Sequence, residues 1–171
     1  MWGKEQVERA VRYIKYPSKR WPNGMRGAGT VFAPPVFNQD DGAYLVSANE
    51  NTMLIAQIET RLGVENCESI AAVDGVGRSQ GRHGCLGIGI SDATQKIAQT
   101  QQTDEADALA LEMLFVGPND LASSMGYFAF DHASFPEVQA AATRVRDAAS
   151  VQGKFSGHFC GSGELGAYTS Q

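Results

Sequence analysis

Residues 4–15 set Val7, Ala10, Val11 and Ile14 on one side at helical spacing, and Pro17 closes the pattern, which predicts an amphipathic helix. The tract "YPSKRWPNGMRGAGTVFAPPVFN" is interrupted by Gly, Pro and Asn too often for regular structure, and predicts a long functional or interface loop over 16–38. After the polar "SANEN", the run "TMLIAQIET" has the short, β-rich apolar character of a buried strand. A helix follows it, with Leu62, Val64, Cys67, Ile70 and Ala71 facing inward. "MLFVG" predicts a second strand. "SFPEVQAAATRVRDAASVQG" predicts a helix with Ser134 and Glu137 as a capping box, Pro136 in its first turn, and a buried stripe of Val138, Ala141, Val145 and Ala148 or Ala149. "KFSGHF", 154–159, reads as a third strand. Helices alternating with strands predict a parallel α/β sheet, in which ligands collect at the carboxyl ends of the strands.

One tract breaks the alternation. Residues 77–112, "GRSQGRHGCLGIGISDATQKIAQTQQTDEADALALE", stand where such a connection usually needs about 2–6 residues, and they read as an insertion. The Gly-rich start has neither phosphate-loop spacing nor a strand before it. His83 and Cys85 within it read as loop residues rather than a metal pair. Ala106, Leu109, Ala110 and Met113 recur at helical spacing, so a helical lid over "TDEADALALEML" is one reading of the tract.

Composition narrows the function. With 171 residues, 43% of them apolar and 19% charged, the chain suits one soluble globular domain. A net charge of -5 argues against nucleic acid, which needs clustered Lys and Arg. No stretch approaches the roughly 20 apolar residues of a membrane span, and the start lacks a signal peptide's apolar core, so a cytoplasmic protein without a membrane partner is expected. Cys67, Cys85 and Cys160, odd in number and without C-x-x-C spacing, read as reduced thiols.

Two carboxylates are the candidate chemistry. In the first strand Leu54, Ala56 and Ile58 share one face, and Ile55, Gln57 and Glu59 the other. Gln57 with Glu59 is then either a strand end fraying into solvent or a polar site at the active end of the sheet. "LFVGPND" brings Asp120 to the equivalent place after the second strand. Gly117 and Pro118 turn the backbone so that the N–H groups of Asn119 and Asp120 can meet an anion; alternatively, Asp120 caps a short helix beginning at Leu121. Two hard oxygen ligands above a sheet, with positions left for water and substrate, suit magnesium or manganese.

These motifs carry a resemblance. "QIETRLGVENCESIAAVDGV" and "MLFVGPNDLASSMGY", with "YPSKRWPNGMRGAG" upstream and "HASFPEVQAA" downstream, resemble the HpcH/HpaI family of metal-dependent pyruvate aldolases over roughly residues 4–76 and 113–160. The resemblance implies a (β/α)8 barrel that cleaves 4-hydroxy-2-oxo acids to pyruvate plus an aldehyde. Carried over by position, Glu59 and Asp120 would be ligands of a divalent cation, Mg2+ or Mn2+. Gln57 would line the pyruvate site, and Gly117, Asn119 and Asp120 would surround the pyruvate carboxylate. The metal would chelate pyruvate and stabilise its enolate. The stretch from Tyr16 to Gly29 resembles the family's Y-P-x-G-x-R-G, with extra residues between Pro17 and Gly24, and Arg26 in it is expected to be structural or at a subunit contact. Complete members imply homo-oligomers.

The chain also departs from the pattern. The family's first four strands, with a base histidine in a D-x-E-H setting and a substrate arginine, have no counterpart here, and neither does the eighth. His132 and His158 are expected to be structural rather than replacements. A whole barrel takes about 250 residues. The expected fold is therefore a partial TIM barrel of about three strand–helix units, one domain over 1–171, with 77–112 inserted, as a retained intron would leave it. Such a chain should bind metal weakly and turn over little or no substrate. The rival reading is a non-catalytic fragment or interaction module that pairs with full-length aldolase subunits.

Overall fold

A computed structural model describes residues 3–27, 29, 32–36, 38, 40–74 and 113–159. Helix α1, Lys4–Ile14, ends as predicted and buries Val7 and Val11. The following tract is not wholly irregular. It contains a single turn, α2, at Ala33–Val36, and then helix α3, Asp41–Asn51, which the sequence reading did not anticipate. The Asp40 carboxylate starts α3 by accepting from the Ala43 N–H at 2.9 Å. Two basic side chains tie the loop to the end of that helix. Fully buried Lys15 donates from Nζ to the carbonyl oxygens of Asn49 (2.6 Å) and Thr52 (3.0 Å). Arg26 donates to Thr52 Oγ1 (3.0 Å) and to the Tyr44 hydroxyl (2.8 Å), with its guanidinium over the Tyr16 ring.

Strands β1 (Ile55–Ile58), β2 (Met113–Val116) and β3 (Phe155–His158) form a parallel sheet in the order β1-β2-β3, giving a mixed α/β fold. The predicted helix after β1 is broken in two, α4 (Arg61–Glu65) and α5 (Cys67–Ala71). Asn66 between them serves both as the last cap of one and the first of the other. Leu62, expected to face inward, is 51% exposed, because at helical spacing it falls on the side opposite Val64, while Val64, Cys67, Ile70 and Ala71 are buried as predicted.

After β2 come α6 (Pro118–Ser124), a 3-10 segment (Ala129–Ser134) and α7 (Pro136–Val151). The α7 stripe is as predicted, with Val138, Ala141, Val145, Ala148 and Ala149 all buried. The capping box is not formed. Phe135 is the N-cap residue, and the Ser134 hydroxyl instead donates to Asp131 Oδ1 at 2.6 Å. Met113, a candidate member of a lid helix, is the first residue of β2, and the rest of 77–112 lies outside the described residues.

The core lies on one side of the sheet. Ala56, Ile58, Leu114 and Val116 pack against Val7 and Val11 of α1, Ile70 of α5, Leu121 of α6, and Val138 and Val145 of α7. The other side, with Ile55, Gln57, Met113, Phe115 and Phe155, is less covered, and Ile55 is 44% exposed. Parallel sheets normally bury both faces, so this surface is unusual for its class. Among the described residues no helix is long and apolar enough to cross a membrane.

Candidate active site

Register fixes which side chains meet. Ile58, Val116 and His158 are paired across the three strands, so the next residues, Glu59, Gly117 and Phe159, leave the sheet side by side on its less covered face. The Gly117 N–H donates to the Ile58 carbonyl at 3.2 Å, which holds the exit of β2 against that of β1. A Cβ at Gly117 would stand 2.9 Å from Gln57 Nε2, 3.4 Å from Glu59 Cβ and 3.6 Å from Glu59 Oε2. Its backbone, at φ -91° and ψ 92°, is open to any residue, so glycine is needed here for space rather than for conformation. The structure thus brings together Gln57, Glu59 and Gly117.

Asn119 and Asp120 follow in the first turn of α6, half-buried and exposed respectively. Asp120 is not the cap of a helix beginning at Leu121. Helix α6 starts at Pro118, its N-cap is Gly117, and no side chain caps it. The Asp120 carboxylate is therefore left free of that duty, at the end of the strand adjacent to the one carrying Glu59.

Among the described residues no three His, Cys, Asp or Glu side chains converge as a closed metal cage. The donor set is instead two carboxylates with a carboxamide beside them, and Gly117 keeps clear the space next to Gln57 and Glu59. All-oxygen donors with open positions suit a hard cation that also binds substrate oxygens. The residues present fit such a cation.

His132 and His158 fall outside this group. His158 is level with buried Ile58 and Val116 and so faces the helices, where its ring lies 5.8 Å from that of His132. Burial, together with the neighbouring His132, holds the His158 pKa below its usual 6.5. His132 Nδ1 is buried with no hydrogen-bond partner among the described groups. The two rings meet on the helix side of the sheet, a contact the sequence did not suggest. Buried Cys67 is a free thiol with its pKa pushed up to about 11 by burial, so it is inert at neutral pH. Cys85, Cys160 and His83 lie outside the described residues. Arg26 is engaged by the α3 end and is structural, as expected. Phe159, 55% exposed beside Gly117, was not singled out from the sequence. Its position could have been found by extending the strand alternation one residue past "KFSGH".

The HpcH/HpaI aldolase/citrate lyase model matches residues 3–159. The chain belongs to that family. Similar members of the HpcH/HpaI family include the 5-keto-4-deoxy-D-glucarate aldolase of Shigella boydii serotype 18, 30% identical over 154 residues, or 90% of this chain and 44% of the relative. The counterpart in Escherichia coli O139:H28 is identical to the same extent over the same shares. Among solved structures, an HpcH/HpaI aldolase/citrate lyase family protein from Burkholderia cenocepacia J2315 superposes with a TM-score of 0.72 at 27% identity, covering 98% of this chain and 51% of that one. The HpcH/HpaI aldolase of Desulfitobacterium hafniense DCB-2 gives 0.67 at 22% identity, covering 99% and 50%, a likeness of fold. This HpcH/HpaI chain thus spans about half the length of the relatives it matches.

Proposed function

We propose that this chain is a sector of a (β/α)8 barrel bearing the metal half of a divalent-metal-dependent aldolase site, acting on 4-hydroxy-2-oxo acids to give pyruvate and an aldehyde. The observation that carries the reading is the cluster of Gln57, Glu59 and Gly117 at the carboxyl ends of adjacent strands, with Asp120 one helical turn beyond. Glu59 and Asp120 hold the cation, Mg2+ or Mn2+. When bound, that cation supplies a Lewis acid for the keto oxygen of pyruvate. Gln57 offers its carboxamide N–H to the substrate, and Gly117 gives the substrate access that a larger residue would close. The backbone of Gly117, Asn119 and Asp120 flanks the pyruvate carboxylate.

No base histidine or substrate arginine of the family's motifs is found among the described residues, so none of them is assigned proton transfer at the aldol hydroxyl. The chain alone is expected to bind Mn2+ weakly and to release little or no pyruvate from a 4-hydroxy-2-oxo acid in a lactate dehydrogenase-coupled assay. Substitutions E59Q and D120N should each weaken Mn2+ binding severely. Normal turnover by the purified chain would refute the division of labour, and unchanged Mn2+ binding in both variants would refute the site.

A second reading is favoured by the exposed Ile55 on the less covered sheet face. A chain with that surface can associate with a complete aldolase subunit as a non-catalytic module. Co-purification with a complete homologue would support it, and monodispersity of the mixture as separate species would exclude it.

A further inference from the structure

We infer that Arg61, with Ser124, is a positioning clamp that sets the separation of Glu59 and Asp120. The inference rests on the metal reading above and extends it to residues with no contact to the cation. Arg61 comes two residues after Glu59, at the first position of α4. Its backbone N–H, one of the donors that a helix start leaves without an intrahelical partner, donates to Ser124 Oγ at 3.0 Å. Its guanidinium Nη2 donates to the Met125 carbonyl at 3.1 Å. Ser124 is the last residue of α6 and Met125 its C-cap, so a cation is set where the helix dipole is negative.

The opposite end of α6 is also tied to β1, since the Gly117 N–H donates to the Ile58 carbonyl at 3.2 Å. A seven-residue helix is about 10 Å long at 1.5 Å per residue. Helix α6 is therefore fixed at both ends to one short segment, Ile58–Arg61, which itself contains Glu59. Asp120 lies between the two anchors. With both in place α6 cannot tilt relative to β1, and the two carboxylates move together. Leu121 and Ala122 of α6 are also fully buried, so loss of the Arg61 side-chain bond loosens the far end of the helix rather than freeing it, and Asp120 is held less closely relative to Glu59. Both Arg61 bonds are at the surface, so their loss exposes no unsatisfied buried group, and their effect on the site is separable from an effect on folding.

The test is Mn2+ affinity of the full chain, followed by electron paramagnetic resonance of free Mn2+ at a temperature where circular dichroism shows every variant folded. R61A should bind roughly tenfold more weakly, as loss of a residue that orients metal ligands typically does. R61K, which keeps a cation for the Met125 carbonyl, should recover part of the loss, and S124A should lose less than R61A. In a D120N background R61A should weaken residual binding no further, because the clamp acts through Asp120. A general loosening of the fold would weaken both backgrounds alike, and that result would overturn the clamp. If R61A is not folded, S124A carries the test. Wild-type affinity in R61A and S124A, with E59Q and D120N still impaired, would overturn the clamp alone. Wild-type affinity in E59Q and D120N would overturn the metal reading and the clamp with it.

Discussion

Replacing Gly117 with alanine separates the needs of the site from those of the fold. The glycine is buried, yet its backbone angles are ordinary, so alanine brings no conformational strain. The new methyl would stand 2.9 Å from Gln57 Nε2 and 3.4 Å from Glu59 Cβ. Comfortable contact begins near about 3.5 Å, so the carboxamide must retreat by about 0.6 Å while Glu59 hardly moves. Gln57 is exposed and the clashing atom is the tip of a flexible side chain, so the retreat costs little. The reduced freedom of the unfolded chain returns about 0.4–1 kcal/mol, and the net change in unfolding free energy should stay within about 1 kcal/mol. Binding sites tolerate displacements of about 0.5 Å. Pyruvate affinity in the presence of Mn2+ should accordingly fall roughly tenfold, while stability is kept. The assay pairs urea unfolding with pyruvate titration of the Mn2+ water-relaxation signal. Loss of more than about 2 kcal/mol in urea would show that the contact is not with a yielding side chain. Unchanged pyruvate binding would show that Gln57 is no part of the site.

Three further outcomes follow from other contacts. Lys15→Met leaves the Asn49 and Thr52 carbonyls without their buried donor and should cost about 2–4 kcal/mol, read by thermal unfolding; a variant as stable as wild type would show that α3 holds without it. His158 is held below 6.5 chiefly by burial, so the unfolded chain takes up its proton first; stability should be level above pH 6.5 and decline as pH falls below it, and H158L should flatten that slope in chemical denaturation at stepped pH. The Arg144 guanidinium hydrogen-bonds Glu68 at 2.8 Å and lowers its pKa from 4.5 to about 2; R144A should return the Glu68 titration toward 4.5 in carboxyl NMR, and an unmoved titration would refute the pairing.

The three strands and the long α7 were legible because their signals are local: short apolar or aromatic runs, and one apolar stripe from Val138 to Ala149 within a sixteen-residue helix. The Gln57 and Glu59 alternation was legible for the same reason, since a strand's period assigns faces without knowledge of its neighbours. Helix α3 was missed because its sequence, "DGAYLVSANEN", has no apolar stripe; it is held from outside by Lys15 and Arg26. The capping box failed through position, as the N-cap of α7 is Phe135 and Ser134 stands one residue before it, where its hydroxyl donates to Asp131. The break at Asn66 and the meeting of His132 with His158 depend on how helices settle on the sheet, and short-range spacing carries no record of that. Glu59 and Asp120 were paired from their equivalent places just past two strand ends, and the resemblance then implied their role as ligands.

The bonds made by Lys15 address main-chain carbonyls, those of Asn49 and Thr52. A carbonyl is the same whatever side chain its residue carries, so Lys15 itself reads only backbone, whereas the Asn49 carboxamide accepts from the Tyr16 N–H at 2.6 Å and donates to the Tyr16 carbonyl at 3.0 Å. Helix α3 can consequently diverge along its outer surface, at positions such as Leu45 and Asn51, without losing its anchorage. Arg26 is less permissive, since it also reads the Tyr44 hydroxyl and Thr52 Oγ1. Drift in this segment should therefore be steepest on the solvent side of α3 and slowest at Lys15, Arg26, Tyr44, Asn49 and Thr52, although none of these five touches the candidate chemistry.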